Sequence, residues 1–363
     1  MSISENLRNY KKTYFDFWNI ILDFEKNVFK VLDQKLLPFE EEYIELRSKE
    51  EVFKVIKDMN IRGAPLIGIV ALIGIYLEVL NNSIKSYQDI CNLMDYLQSS
   101  RSTAVNIFNY FSNLKPILKE KELKDYLEVV KNFLIEVILS EKEKNELIAK
   151  NGYNLLKGIF RDVSKLRVLT HCNTGSLATI GLGTALGIIK YLKSFYKVFV
   201  WVDETRPYLQ GSRLTALELE KEGIEFKIIP DSAAAFVMYN NEVDVVIVGA
   251  DRVALNGDTV NKIGTLNLAI LANNFRIPFI VALPESSIDS SLNSLQYFKV
   301  EERDANEVLK FSNNIVSIDI TKGYYKVFNP AFDITPYKYV DYIITEKNIY
   351  EPREGFLKVF KGF

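Results

Sequence analysis

Histidine and cysteine, the side chains most used for nucleophilic and acid–base work near neutral pH, number one and two in 363 residues. His171 and Cys172 are neighbours within Thr170-His171-Cys172-Asn173-Thr174-Gly175, so chemistry of either type is largely confined to one spot. Cys172 stands where a helix N-terminus would favour a thiolate and apolar surroundings the neutral thiol. A second acid–base candidate, Asp251, follows the apolar end of a strand and two small residues in Val248-Gly249-Ala250-Asp251-Arg252. Partial desolvation there would raise its pKa into the range useful for proton transfer. Its structural alternative is to cap the next helix or to pair with Arg252. Lys262, in Asn261-Lys262 at the expected start of a helix, suits a phosphate or polyol oxygen. Arg62 and Arg101 occupy similar helix-opening turns and would meet an anion, although such arginines are also common on surfaces. Cys91 lies in the apolar-periodic segment Ile90 to Leu97 and reads as a small core residue.

Other chemistries are disfavoured by the same spacing. Gly181-Leu182-Gly183-Thr184-Ala185-Leu186-Gly187 is G-x-G-x-x-x-G, begins well past the preceding strand and reads as part of a helix, so it is not a dinucleotide fingerprint. His171 cannot easily serve as the base of its own neighbour, because adjacent strand residues point to opposite faces. A metal site lacks both C-x-x-C spacing and a second histidine. With Lys+Arg 45 against Asp+Glu 47 there is no basic excess for a nucleic-acid backbone. Two cysteines make no disulfide framework, and residues 1–15 carry no apolar signal segment, so a cytoplasmic protein is expected. The apolar run Ala64 to Leu77 is shorter than the roughly 20 residues of a membrane span and reads as a buried helix.

The elements that must position these residues fall into two textures. Before about residue 150 the pattern is mainly helical: Ser48 to Met59, Leu66 to Leu80 behind Pro65, and most of Asn81 to Phe160, with one short strand at Val28 to Asp33. From 151 to 363, strand-like runs alternate with helical ones: Arg167 to Thr170, Val198 to Val202, Phe226 to Ile229, Val243 to Val248, Pro278 to Ala282, Ile315 to Ile318 and Tyr339 to Ile344. Continuous apolar strands spaced by helices predict a Rossmann-like, doubly wound, mostly parallel sheet, hence an α/β protein with a helical N-terminal domain (1–150) and an α/β catalytic domain (151–363). Its site belongs at the strands' carboxyl ends, where His171, Cys172, Asp203, Asp231 and Asp251 all fall.

These residues also carry a resemblance. Leu32-Asp33-Gln34, Arg62-Gly63-Ala64-Pro65, Arg101-Ser102-Thr103-Ala104-Val105-Asn106, the Thr170 to Gly175 stretch, Asp203-Glu204-Thr205-Arg206-Pro207, Leu209-Gln210-Gly211, Gly249-Ala250-Asp251-Arg252, Asn261-Lys262-Ile263-Gly264-Thr265 and Asn329-Pro330-Ala331-Phe332-Asp333 run through nearly the whole chain. Together they resemble the family that unites methylthioribose-1-phosphate isomerases with ribose-1,5-bisphosphate isomerase and the regulatory subunits of the translation initiation guanine-nucleotide exchange factor. The resemblance implies an aldose–ketose isomerase of methionine salvage, an amino-acid biosynthetic route. The catalytic pair would be Cys172 and Asp251, with substrate contacts from Arg62, Gly63, Ala64, Arg101, Gln210, Asn261 and Lys262. It implies a sugar-phosphate ligand, no cofactor, no metal, and a homodimer. Because the 1-phosphate blocks C1, the enzyme must assist ring opening; Asp251 would protonate the ring oxygen and Cys172 would help move hydrogen from C2 to C1. Regulatory relatives generally lack that pair, so its presence favours an enzyme over a non-catalytic sugar-phosphate or nucleotide binder. Ser102 stands where the family usually has proline, which loosens the turn presenting Arg101 and leaves 5-deoxyribose 1-phosphate or ribose 1,5-bisphosphate as alternative substrates.

Overall fold

The computed structural model describes residues 12–101, 105–161, 163–296, 298–312 and 317–354; the Ser102 departure lies outside them. The chain forms two compact units, Met1–Glu143 with Ser176–Gly181, and Lys144–Gly175 with Leu182–Phe363.

The first unit opens with an antiparallel four-stranded sheet, β1 (Tyr14–Phe17), β2 (Ile20–Asp23), β3 (Val28–Leu32) and β4 (Tyr43–Glu45), paired in that order. The single strand expected at Val28 is thus one of four. The others are only three or four residues long, too short for alternation to stand out. Ile20 and Leu22 show that alternation in β2, both wholly buried. Helices follow. In α1 (Lys49–Lys57), the Ser48 side chain accepts from the Glu51 N–H, and Glu50 and Glu51 sit in the first turn, where the helix dipole favours acids. In α2 (Ala64–Leu80), Pro65 occupies the first turn and every residue from Leu66 to Glu78 is buried, as its apolar circumference requires. Next come α3 (Tyr87–Ser99), α4 (Val105–Lys119) and the long α5 (Tyr126–Ile159). No helix among the described residues is long and apolar enough to cross a membrane.

The second unit is mixed α/β. Its elements after α5 are β5 (Lys165–Thr170), α6 (Ala185–Leu192), β6 (Lys197–Asp203), α7 (Ala216–Lys221), β7 (Glu225–Ile229), α8 (Ala234–Tyr239), β8 (Val245–Val248), β9 (Arg252–Ala254), β10 (Thr259–Lys262), α9 (Thr265–Phe275), β11 (Phe279–Ala282), β12 (Ile288–Asp289), α10 (Asn306–Leu309), β13 (Lys310–Ser312), β14 (Ser317–Asp319), β15 (Phe332–Thr335), β16 (Tyr342–Ile344) and β17 (Ile349–Tyr350). The main sheet runs β7-β6-β5-β8-β11-β16-β17 and is parallel except for β17. Alternate residues of β8 enter separate apolar cores, Val246 and Val248 on one face, Val245 and Ile247 on the other. A strand buried on both faces must be continuously apolar, which is why β8 reads Val-Val-Ile-Val.

Two expectations need correction. Ser317 and Ile318 of the expected strand Ile315 to Ile318 belong to β14, which pairs antiparallel with β13 alone and stays exposed on every residue, so it never joins the main sheet. A small sheet, β12-β9-β10-β15, had no counterpart in the sequence reading, because its strands are two to four residues long.

Candidate active site at the carboxyl edge of the sheet

The order of the main sheet reverses between β5 and β8, and ligands of such sheets bind outside the carboxyl ends at that point. Leu169 pairs with Val246, and the Thr170 hydroxyl donates to the Ile247 carbonyl at 2.8 Å, so β5 and β8 leave the sheet side by side and the Thr174 turn comes against Gly249. Gly249 is needed there. A Cβ on it would come within 2.4 Å of the Thr174 Cγ2.

Cys172 is buried and has φ 63°, the left-handed region that few residues other than glycine adopt. Such strain survives only where the surroundings over-determine it. Here the Cys172 N–H donates to the Thr205 hydroxyl (2.8 Å) and its carbonyl accepts from the Thr215 hydroxyl (2.6 Å). Thr205, itself at φ 62°, is fixed by the Asp231 carboxylate, which accepts the N–H groups of Thr205 and Arg206 at 2.8 and 2.7 Å. Next along the chain, Asn173 donates to Thr215 and, at 2.9 Å, to Glu218, whose other oxygen meets the buried Lys190 ammonium at 2.7 Å. Gly175 passes so close to Glu218 that a Cβ would lie 2.2 Å from its carboxylate. Glu218 and Lys190 were missed in the sequence; the available signal was a lone charge on an otherwise apolar face of each helix.

The helix expected to open after the Asn173-Thr174-Gly175 turn and to contain Gly181 and Gly183 begins only at Ala185. Residues 176–184 intervene, with Gly181 and Gly183 both at φ 95°, so these two glycines turn a loop instead of packing within a helix.

His171 is wholly enclosed. Its Nδ1 lies 2.9 Å from Asp203 Oδ2 and its Nε2 2.8 Å from the Ile263 carbonyl. Burial alone would lower its pKa, but the Asp203 hydrogen bond and charge, with smaller contributions from Asp231 and Cys172, raise it to about 9. Burial raises Asp203 to about 6 against the opposing pull of His171. Between those values the pair is carboxylate and imidazolium. The ligand atoms of His171, Asp203 and Asp231 lie within 4.8 Å of one another, but both His171 nitrogens and both Asp231 oxygens already have partners. With both ring nitrogens donating, His171 has no lone pair left to ligate a metal, and the grouping acts as a hydrogen-bond network.

Asp251 departs from expectation. Its N–H donates to the Val260 carbonyl at 2.9 Å, and β9, not a helix, follows it. Its side chain is exposed, because Gly249 and Ala250 carry the chain beyond the sheet edge. Asn261 and Lys262 likewise lie on β10 instead of opening a helix. Gly264, at φ 106°, ends that strand before α9. Asn261 is buried and donates to Thr265 at 2.9 Å; Lys262 donates to the Ala331 carbonyl at 2.9 Å and stands over the Phe332 ring. Asp333 accepts the N–H groups of Gly264 (2.8 Å) and Leu266, closing the start of α9, and burial lifts it to about 6. Gln210 is buried beyond β6, directly before the helical turn Gly211–Thr215, and its Oε1 has no hydrogen-bond partner among the described residues.

Cys172, Gln210 and Asp251 follow β5, β6 and β8 of the main sheet, whereas Asn261 and Lys262 lie on β10 of the small sheet; all five belong to the second unit. Arg62, Gly63, Ala64 and Arg101 belong to the other unit. Gly63, at φ 91°, precedes α2 and packs so tightly on Ala178 that a Cβ would sit 2.0 Å from its carbonyl oxygen. Arg101 follows α3.

Gly264 seats the site from below: a Cβ on it would lie 2.7 Å from His171 Cε1. Gly264→Ala is therefore expected to lose about 3 kcal/mol of stability, combining left-handed strain with overpacking, measured as a lower urea midpoint at unchanged slope.

The pattern of the initiation factor 2 subunit family matches residues 60–352. A methylthioribose-1-phosphate isomerase of Caldicellulosiruptor saccharolyticus is 42% identical over 344 residues, covering 91% of this chain and 95% of that protein. Among solved structures, 5-methylthioribose 1-phosphate isomerase from Pyrococcus horikoshii OT3 superposes with a TM-score of 0.82 at 34% identity, covering 99% of this chain and 97% of that one. The translation initiation factor eIF-2B subunit delta from A. fulgidus gives 0.81 at 33% identity, covering 95% and 100%.

Proposed function

Given that the chain belongs to the initiation factor 2 subunit family, we propose that it is an aldose–ketose isomerase converting 5-methylthioribose 1-phosphate to 5-methylthioribulose 1-phosphate. The observation that carries the reaction is the 42% identity to an isomerase across 91% of the chain. Similarity of fold alone does not separate the readings, since the isomerase and the initiation-factor subunit superpose almost equally well, at 0.82 and 0.81. The Rossmann-like reading of the second unit rests on the order of its parallel strands, which reverses beside Cys172.

On this reading Asp251 protonates the ring oxygen as its bond to C1 breaks, leaving an open-chain oxocarbenium at the phosphate-bearing C1. Cys172 then takes part in moving hydrogen from C2 to C1, and loss of the C2 hydroxyl proton to the Asp251 carboxylate completes the ketose 1-phosphate. Asp251 is exposed, so the desolvation that suits it to act as an acid is supplied by the sugar lying over it. Gln210 brings a buried, unpaired amide oxygen that suits a sugar hydroxyl. Asn261 and Lys262 present an amide and an ammonium from one strand to the phosphate or polyol. Arg62, Gly63, Ala64 and Arg101 are included among the substrate contacts of the same proposal. A cytoplasmic homodimer serving methionine salvage belongs to the same proposal.

The test is an assay of ketose 1-phosphate formation from several 5-substituted ribose 1-phosphates side by side, with the methylthio compound expected to be turned over best. Ligand-dependent thermal stabilisation without product would instead mark a non-catalytic binder, the reading favoured by the initiation-factor neighbour. Substrate deuterated at C2 separates the two routes: label kept at C1 indicates a hydride shift, and label lost to water an enediol.

A further inference from the structure

The imidazole of His171 takes no part in the steps above, yet both of its nitrogens are engaged in a fully buried setting. A carbonyl oxygen only accepts, so the Ile263 contact requires a proton on Nε2. An ionised Asp203 requires a second on Nδ1. The ring therefore bridges the β5 strand end that carries Cys172 and the residue directly after Asn261 and Lys262. We infer that His171 is a positioning residue for the isomerisation: an imidazolium clamped between Asp203 and the Ile263 carbonyl, it fixes Cys172 relative to Asn261 and Lys262 and sets a positive charge beside the thiol. The inference rests on the proposed isomerase activity for its kinetic consequences, not for the clamp itself.

The charged groups that face the ring come from every element packed on it. Asp203 ends β6, Asp231 follows β7, Asp333 lies on β15, and Cys172 adjoins it in sequence; Glu204 acts on Asp203, and Lys262 on Asp333. The acids outnumber the cations, which is the balance that keeps the imidazole protonated. Because its value of about 9 lies above the ordinary 6.5, the stabilisation this proton provides is complete below pH 6.5 and is lost as pH rises through about 9.

Asp203→Asn separates charge from geometry. Neutral imidazole can still donate from Nε2 to Ile263 while Nδ1 accepts from the new amide, so every hydrogen bond is kept and only the ion pair disappears. His171→Asn retains a donor toward Asp203 but breaks the link to Ile263.

Because His171 is the only histidine, untagged protein labelled with 13C-histidine gives a single imidazole signal to titrate, with no substrate required. The wild-type signal is expected to titrate near pH 9, and that of Asp203→Asn below neutrality. In the ketose assay, Asp203→Asn should keep KM near wild type, lose at least about 10-fold in kcat, and lack the wild-type fall in rate through pH 9. His171→Asn should raise KM as well. A wild-type histidine titrating near 6.5, or an Asp203→Asn enzyme with wild-type kcat and pH profile, overturns the inference. A histidine titrating near 9 in a protein that turns over no sugar phosphate sinks the proposed activity and the positioning role with it, leaving the clamp as structure only.

Discussion

Cys172→Ala and Asp251→Asn are each expected to lower kcat for ketose 1-phosphate formation by about 1,000-fold or more, the range associated with removing a positioned acid, base or nucleophile. The double variant should fall little further, because two groups serving one proton-transfer sequence act as a unit. Stability supplies the control. Alanine at 172 keeps the left-handed backbone at the penalty cysteine already bears, so the melting temperature of Cys172→Ala should stay within a few degrees of wild type. Cys172→Gly goes further: at φ 63° glycine is not penalised, and this variant should exceed Cys172→Ala by about 1 kcal/mol while being just as inactive. Turnover within 10-fold of wild type in either Cys172→Ala or Asp251→Asn would remove that residue from the mechanism.

What the sequence made legible were features with local causes. The Ser48 cap, Pro65 at the head of α2 and the unbroken apolar strands each depend on a few adjacent residues. Cys172 stood out because its residue type is scarce. The left-handed backbone at Cys172 was hidden, because it is imposed by Thr205 and Thr215, both more than thirty residues away. Asp251 was expected to be partly buried because an apolar strand precedes it, but burial depends on what covers a residue in space, and the chain has already left the sheet there. Asn261 and Lys262 looked like a helix start because the turn residues Asn256-Gly257-Asp258 precede them; pairing of β10 with both β9 and β15 made them a strand. The Asn329 to Asp333 motif was recognisable in sequence, whereas its work, holding Lys262 and the start of α9, became visible only in three dimensions.

The pair beneath the Cys172 loop supports the second large expectation. Lys190 and Glu218 have side chains only 4% and 0% exposed, and their bond of 2.7 Å is the main compensation for two buried charges. Lys190→Met removes the ammonium opposite the Glu218 carboxylate and leaves Asn173 as a neutral donor, while the nearby Glu222, which shares the same lysine, is itself an acid and offers no compensation. The cost should be about 3–5 kcal/mol, measured by denaturant unfolding, because removing one partner leaves a desolvated charge unanswered. Replacing both, as Lys190→Met with Glu218→Leu, should restore most of that stability, since apolar side chains of similar volume need no such compensation. Activity should not return with it. Asn173 has lost an acceptor 2.9 Å away, and with it part of what holds the residue after Cys172 in its turn. A double variant recovering stability and kcat together would show that the pair only supports the fold; recovery of stability alone would show that Glu218 also aims the cysteine.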